Sequence, residues 1–372
     1  MSIETTMTRA WQRQAAWLWL LLPVSWLYGF ITMVRRQAYK IGLFASYRAP
    51  IPLMVIGNIT VGGSGKTPLI IALVTHLQKQ GIKVGVISRG YGGDSNQMPA
   101  LVHADSLPSI VGDEPCLIVN MTGAAMAVCP NRKQAITTLL NAHPDLQLII
   151  ADDGLQHYAL QRDIEWIVVD ASRGFGNQQL LPTGFLREPM SRLTGANVVY
   201  HEKADRTTKD NKQAKAKRLT MYLQADKLQP LWSSAVEIDG LSVAAKTLMP
   251  PIPNGRVHAV SGIGYPQRFF DTLMALGFDV IGHAYPDHYD FSLTELLQYS
   301  ELPIIITSKD AVKIRALLIN MSSRQPLNDE YQELVHRLWV LPVTAVLSDG
   351  CYVSLQQQLK ALNINLSKST KA

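Results

Sequence analysis

The stretch VIGNITVGGSGKTPLI, Val55–Ile70, limits the fold more than any other part of the chain. It begins as an apolar, strand-like run, passes through glycines, and continues with helical spacing behind Lys66 and Thr67. A strand that turns on glycines into a helix gathers backbone N–H groups and the positive end of the helix dipole at one point, which is an anion cradle. Lys66 is then placed to reach β- and γ-phosphates, and the Thr67 hydroxyl to ligate Mg²⁺. The usual spacing has glycine where Thr60 stands; here Gly62 and Gly63 lie inside the loop instead. Thr60, Val61, Gly62, Gly63, Ser64, Gly65, Lys66 and Thr67 are the candidate contacts to a nucleoside triphosphate. The competing reading is a glycine turn with a purely structural role.

The surroundings support the cradle. Apolar runs alternate with helical stretches: PLMVIGNI, KVGVISRGYGG, AAMAVC, LQLIIADDG, IEWIVVDA and ANVVYHEKAD read as strands, with helices between most of them. This alternation predicts α/β architecture, a doubly wound parallel sheet of the P-loop NTPase type with helices on both faces. Such sheets bind ligands at the C-terminal ends of their strands, where these turns fall. LQLIIADDGLQH ends an apolar strand on Asp152 and Asp153, the position from which a carboxylate holds Mg²⁺ or its water shell. His157 follows the same strand end. GDEP, Gly112–Pro115, puts Asp113 and Glu114 at a helix start, where they either cap the helix dipole or accept a proton.

A polar, charge-rich stretch, KADRTTKDNKQAKAKR, marks a connector, and a second alternating unit follows it. The expected division is residues 1–48 as an N-terminal anchor with a basic flank, 49–205 as the P-loop domain, and 206–372 as a smaller α/β domain. With 47% apolar residues over 372, the chain can bury two sizeable cores and is not a disordered chain. Its net charge of +6 suits an anionic ligand or membrane face as well as it suits nucleic acid. Three scattered cysteines without CxxC spacing argue against a disulfide framework or a zinc site.

The anchor is AAWLWLLLPVSWLYGFITMV, Ala15–Val34, twenty residues without a charge. As a helix it is about 30 Å long, the hydrocarbon thickness of a bilayer. Pro23, Ser25 and Gly29 weaken a span and leave open a kinked helix lying in the interface. Arg35, Arg36, Lys40 and Arg48 follow it with no acid among them, which places the long C-terminal part in the cytoplasm. A cleaved signal peptide is the rival reading, opposed by the absence of a small-x-small cleavage site.

Three function classes remain open on these residues: a kinase, a P-loop GTPase, and a nucleotide-gated membrane adaptor. EKAD, Glu202–Asp205, approaches the guanine-reading Asn-Lys-x-Asp, but Glu stands in place of Asn. Read together and in order, GNITVGGSGKTP, SRGYGG, VGDEP, DDGLQH, LLPTGFLREP, PDHYDF and TSKDAVK resemble the tetraacyldisaccharide 4'-kinase family of lipid A biosynthesis, from about Ile51 to about Val346. Ser308 stands where that pattern has Glu.

The resemblance implies a kinase at the cytoplasmic face of the inner membrane. It would transfer the γ-phosphoryl of ATP, with Mg²⁺, to the 4'-hydroxyl of an acylated glucosamine disaccharide 1-phosphate, giving lipid IVA; its partners would be this lipid and the membrane, not nucleic acid. It further implies Asp113 as catalytic acid–base residue paired with His288, and Lys66 acting on the transferred phosphoryl. Asp153, His157 and Arg187 would be nucleotide contacts, and Thr67, Asp152 and Glu188 the metal contacts.

Overall fold

The computed structural model describes residues 3–203, 218–232, 249–299, 301–323 and 327–364. Most of the charge-rich connector, including Ala204 and Asp205 of EKAD, lies outside them, as does the expected 205/206 boundary. The described strands are β1 (Leu53–Gly57), β2 (Val84–Ser88), β3 (Ala100–Val102), β4 (Ala125–Val128), β5 (Leu148–Asp152), β6 (Ile164–Asp170), β7 (Asn197–Glu202), β8 (Leu219–Ala225), β9 (Gln229–Pro230), β10 (Arg256–Ser261), β11 (Asp279–Ala284), β12 (Ile304–Thr307), β13 (Leu338–Leu341) and β14 (Val343–Leu347).

Nine strands form one sheet in the order β14-β8-β7-β6-β1-β5-β2-β4-β3. It is parallel from β8 to β4, with antiparallel edge strands β3 and β14. Its central strands are buried along their whole length and apolar up to their last residues, because both faces are covered, as a parallel sheet requires. The helices Lys66–Lys79, Asp113–Thr122 and Asp349–Ala361 contribute Leu69, Leu73, Ile118 and Leu355 to one face. The helix Arg132–Ala142 covers the other with Ala135, Ile136 and Leu139. The register Ile56↔Asp152 sets the tip of β5 beside the start of the glycine loop.

Five strands form the second sheet, β11-β10-β12-β13-β9, parallel except for β9. Helices Ser308–Ser322 and Asp329–Arg337 pack on one side through Ile314, Leu318 and Leu334. The helix Pro266–Ala275 packs on the other through Phe269, Phe270 and Leu273.

The expected division 206–372 needs correction. β8 and β14 belong to the larger sheet, paired with each other from Val343↔Ala225 to Leu347↔Met221. The helix Asp349–Ala361 also packs on that sheet. RLWVLPVTAVL, Arg337–Leu347, looks like one apolar run in the sequence but holds two strands that lie in two sheets. Pro342 breaks it: proline donates no ladder hydrogen bond, so the run cannot continue as one strand.

The N-terminal apolar segment is a 3₁₀ turn, Ala16–Leu21, leading into an α-helix, Leu22–Lys40. One face lies along the larger domain. The Ser25 hydroxyl sits 2.8 Å from that of Thr183 and 3.0 Å from the Leu180 carbonyl, and the Tyr28 hydroxyl donates to the Arg187 carbonyl at 3.0 Å. The opposite face leaves Trp19, Trp26, Leu27, Phe30 and Ile31 each at least half exposed.

Trp166 on β6 is fully buried, and its indole N–H donates to Gln358 of the C-terminal helix at 2.9 Å. Trp166→Ala is expected to cost about 3–5 kcal/mol, since it leaves a large cavity and an orphaned amide. Urea unfolding followed by circular dichroism checks this.

Candidate active site

The glycine loop takes its shape from what surrounds it. Gly65 has φ of 94°, which favours glycine, and a Cβ there would meet His201 Nδ1 at 2.7 Å and Met221 Cε at 2.8 Å. His201, at the end of β7, lies 3.2 Å from the Ser64 carbonyl. On the other side the loop is zipped to the LPTGFLREP segment: Val61 N–H donates to the Phe185 carbonyl, and Arg187 N–H to that of Ile59. Thr60 bridges to Leu186 in the same ladder. Gly62 is approached by Arg173, whose guanidinium donates to the Val61 carbonyl.

Lys66 opens the helix behind the loop. Its ammonium donates to Asn58 Oδ1 at 3.2 Å and lies 3.4 Å from Asp153 Oδ1. Arg187 reaches the other oxygen of Asp153 at 3.1 Å. Burial pushes the Asp153 carboxyl up, but Lys66 and Arg187 overcome it and hold the group at about 2. Asp153, Lys66 and Arg187, three expected nucleotide contacts, therefore form one neutralising cluster.

Asp152 is different. It is 2% exposed; Ser88 donates to Oδ2 at 3.2 Å, and Oδ1 has no partner. Burial, joined by the charge of Glu114, pushes its carboxyl up to about 7 against the pull of Lys66. A buried carboxylate with an orphaned oxygen beside a phosphate cradle is the environment a cation relieves. The Ser64 hydroxyl in the loop is likewise buried without a partner. Among the described residues no three His, Cys, Asp or Glu side chains converge as a metal site. A cation there would take ligands from phosphate and water as well. Thr67 lines the same cleft in the first turn of its helix.

Glu188, expected as a metal contact, has both oxygens engaged: Gln156 donates to one at 2.8 Å and Arg192 to the other at 2.9 Å. Gln156 also donates to the Asn58 carbonyl, so this layer braces the base of the loop. The His157 carbonyl accepts from Arg162 at 3.2 Å. Burial and then the cations Arg132, Arg162, Arg35 and Arg89 drive the His157 pKa down to about 4. Nη1 of Arg132, itself 3% exposed, has no partner. A neutral imidazole among guanidinium groups suits an anion.

Asp113 and His288 come from different domains and meet. His288 Nδ1 lies 3.1 and 3.0 Å from the two Asp113 oxygens. Each is placed by backbone. Gly112, with φ of 95°, precedes Asp113, and a Cβ on it would meet the Tyr91 carbonyl at 2.6 Å. His288 itself has φ of 58°, an uncommon conformation for a residue with a Cβ, and its N–H donates to the Gly262 carbonyl at 3.2 Å. Burial pushes the Asp113 carboxyl up, but the His288 hydrogen bond with Lys309, His288 and Lys313 charges brings it down to about 2.

A cleft of about 1400 Å³ lies between the glycine loop and the second domain. Gly63–Pro68 and Glu114 line it from the larger domain, and Ile263–Tyr265, Asp287 and Lys309 from the smaller. Sequence reasoning did not single out Asn58, Arg173, His201, Arg268 or Lys309. Arg268, on the helix Pro266–Ala275, pairs with Asp170 at 2.6 Å and touches His201 at 3.0 Å, a second link between the domains. The proximity of SRG, YHE and PQR to strand ends was the available signal for such residues.

Residues 17–360 match the family described as tetraacyldisaccharide-1-P 4'-kinase. A tetraacyldisaccharide 4'-kinase of Psychrobacter arcticus is 74% identical over 99% of this chain and 98% of its own length. One of Psychrobacter cryohalolentis is 72% identical over 99% of each. A crystal structure of LpxK from Aquifex aeolicus in complex with ATP superposes with a TM-score of 0.65, covering 93% of this chain and 99% of that one at 23% identity. That last likeness establishes the fold, P-loop α/β with a second α/β unit.

Lys66→Ala is expected to lower phosphoryl-transfer turnover by about 10²–10³, the usual loss for one electrostatic donor. Melting temperature should change little, because Arg187 still holds Asp153. Steady-state kinetics and thermal denaturation together check it; wild-type turnover would remove Lys66 from the chemistry.

Proposed function

The chain belongs to the tetraacyldisaccharide-1-P 4'-kinase family, and we propose that it performs that reaction with Asp113 as base and His288 orienting it across the domain cleft. The chain is a kinase of lipid A biosynthesis: it transfers the γ-phosphoryl of ATP to the 4'-hydroxyl of tetraacyldisaccharide 1-phosphate. The observation that carries the residue assignment is the contact of 3.0 Å between a P-loop-domain carboxylate and a second-domain imidazole.

Phosphoryl transfer needs positioning and charge neutralisation more than covalent help. The loop from Thr60 to Thr67 would cradle the phosphates. Lys66 and Arg187, now shared with Asp153, would offset charge on the transferred group. Mg²⁺ would be held by Thr67 and Asp152, where it would neutralise the β- and γ-oxygens; the orphaned Asp152 Oδ1 supports this. Glu188 would have to give up Arg192 to reach a cation, so we assign it to bracing the Arg187 segment. Asp113 accepts the proton of the attacking sugar hydroxyl. The guanidinium cluster around His157, with the unpartnered Arg132 nitrogen, supports a site for an anionic group of the lipid beside the same strand ends.

The assay is transfer from labelled ATP to the disaccharide 1-phosphate in detergent micelles. Asp113→Ala should lower kcat by about 10²–10⁴ with a smaller effect on KM for ATP. His288→Ala should do likewise, and the double variant should be little worse than either, because residues acting as a unit are not additive. Multiplying losses would break the dyad.

For the membrane, we propose that the N-terminal helix lies in the interface of the cytoplasmic leaflet of the inner membrane rather than crossing it. The support is its hydrogen-bonded inner face and its apolar outer face with Trp19, Trp26 and Phe30. Arg35 and Arg36 follow on the same helix, where anionic headgroups would meet them. Trp26→Glu with Phe30→Glu should weaken sedimentation with anionic phospholipid vesicles while leaving turnover on micellar substrate near normal. Unchanged vesicle binding would assign attachment to another surface.

A further inference from the structure

We propose that Lys309 is a positioning residue that fixes His288 in the tautomer carrying its proton on Nδ1, so that Asp113 is left as the group that receives the sugar proton. This rests on the Asp113–His288 reading above and adds to it the residue that sets its proton arrangement.

Lys309 stands one residue inside the helix Ser308–Ser322, with its side chain 13% exposed. Its ammonium has three protons and no lone pair. Three acceptors surround it: Asp287 Oδ1 at 3.1 Å, Glu114 Oε1 at 3.2 Å and His288 Nε2 at 3.3 Å. The third contact is a hydrogen bond only if Nε2 holds its lone pair. The ring proton is then on Nδ1, facing both Asp113 oxygens at 3.0–3.1 Å. The opposite tautomer sets an N–H against an ammonium and a lone pair against a carboxylate, two repulsions in a poorly solvated cleft.

The chemistry follows. As the 4'-oxygen bonds to the γ-phosphorus and the bond to the β-phosphate oxygen breaks, the hydroxyl proton passes to an Asp113 oxygen. His288 cannot pass it on through Nε2, which Lys309 occupies; the imidazole orients the carboxylate and is not a relay.

The groups facing the ring are Asp113 and Glu114 from the helix Asp113–Thr122, Asp287 from its own loop, and Lys309 on the second-domain helix, with Tyr91 edge-on at 4.9 Å between centroids. Lys313 on that helix is 3.6 Å from Asp113 Oδ2 and donates to the Tyr289 carbonyl. Burial pushes the His288 pKa down and the Lys309 charge adds to that, while the Asp113 hydrogen bond and the acidic neighbours push it up, with a net rise. Removing Lys309 therefore favours imidazolium, which would tie Asp113 into a full ion pair and weaken it as a base.

The test starts with the intact wild-type chain, ¹⁵N-labelled at histidine, in detergent micelles above pH 8. Long-range ¹H–¹⁵N correlation is expected to report a protonated Nδ1 and an unprotonated Nε2 for His288, assigned with His288→Ala. An Nε2–H tautomer would overturn the proposal without any Lys309 variant having to fold. Lys309→Met should lower kcat about tenfold or more with little change in KM for ATP, and move the acidic limb of the pH–kcat profile to higher pH. In a His288→Ala background the same change should cost little further. An unshifted limb, or a further full loss in that background, would sink the proposal. Normal kcat in Asp113→Ala and His288→Ala would instead sink the catalytic reading, and the wild-type tautomer would still stand as measured.

Discussion

One contact joins two separately built sheets at the candidate active site, the Asp113–His288 pair. Neither residue is much use alone. Asp113 at a helix start is an ordinary cap, and His288 in a loop is an ordinary surface imidazole. What makes them a pair is that two cores, one around β1 and β5 and one around β10 and β12, are held facing each other at the C-terminal ends of their strands. The hold is apolar and ionic: Val312, on the second-domain helix Ser308–Ser322, packs into the larger domain's core, and charges bridge around the site. Lys309 bridges Glu114 and Asp287 on one side, and Arg268 bridges Asp170 and His201 on the other.

The connection between the sheets is itself built from paired strands. The second unit is entered through β8 and left through β14, which pair antiparallel at the edge of the larger sheet. It therefore hangs from a two-stranded ribbon rather than a flexible tether. The sequence division at 205/206 failed because it followed composition. Polar charge marked the connector, but β8, LTMYLQA, alternates like any edge strand and carries no sign of which sheet it joins. Pairing partners are non-local, and only Pro342 signalled that RLWVLPVTAVL was two strands.

Much else was legible. Six of the seven strands through Glu202 followed from apolar runs punctuated by glycines, because parallel strands covered on both faces are largely apolar; β3, a three-residue antiparallel edge strand, carried no such run. The loop from Thr60 to Thr67, Asp152 and Asp153 were readable because their chemistry needs fixed places at strand ends. The Asp113–His288 pairing was not readable from spacing, since 175 residues separate the two; it came from the resemblance. Lys309 was hidden for a different reason. A lysine near a helix start is unremarkable until its three acceptors, contributed by two domains, are seen together. The N-terminal segment shows the limit of composition: twenty uncharged residues read as a span or as an interfacial helix, and the Ser25 and Tyr28 hydrogen bonds to the domain are what support the second reading.

Charge within the site is stored in pairs that substrates can replace. Lys66 and Arg187 share the one carboxylate of Asp153, so the two cations are partly neutralised and keep a net positive charge that suits a phosphate. Asp152 lies next to them without such a partner on Oδ1, and burial makes its charge costly. A phosphate-bound cation that drew on Asp152 would relieve that cost, while the phosphate drew Lys66 and Arg187 off Asp153. Each exchange trades one ion pair for another of the same sign pattern, so little charge has to be desolvated anew. The same economy holds across the cleft, where Lys309 shares its protons among three acceptors. These charge pairs across the cleft exist only where the two domains meet, so the electrostatics around Asp113 depend on both domains at once.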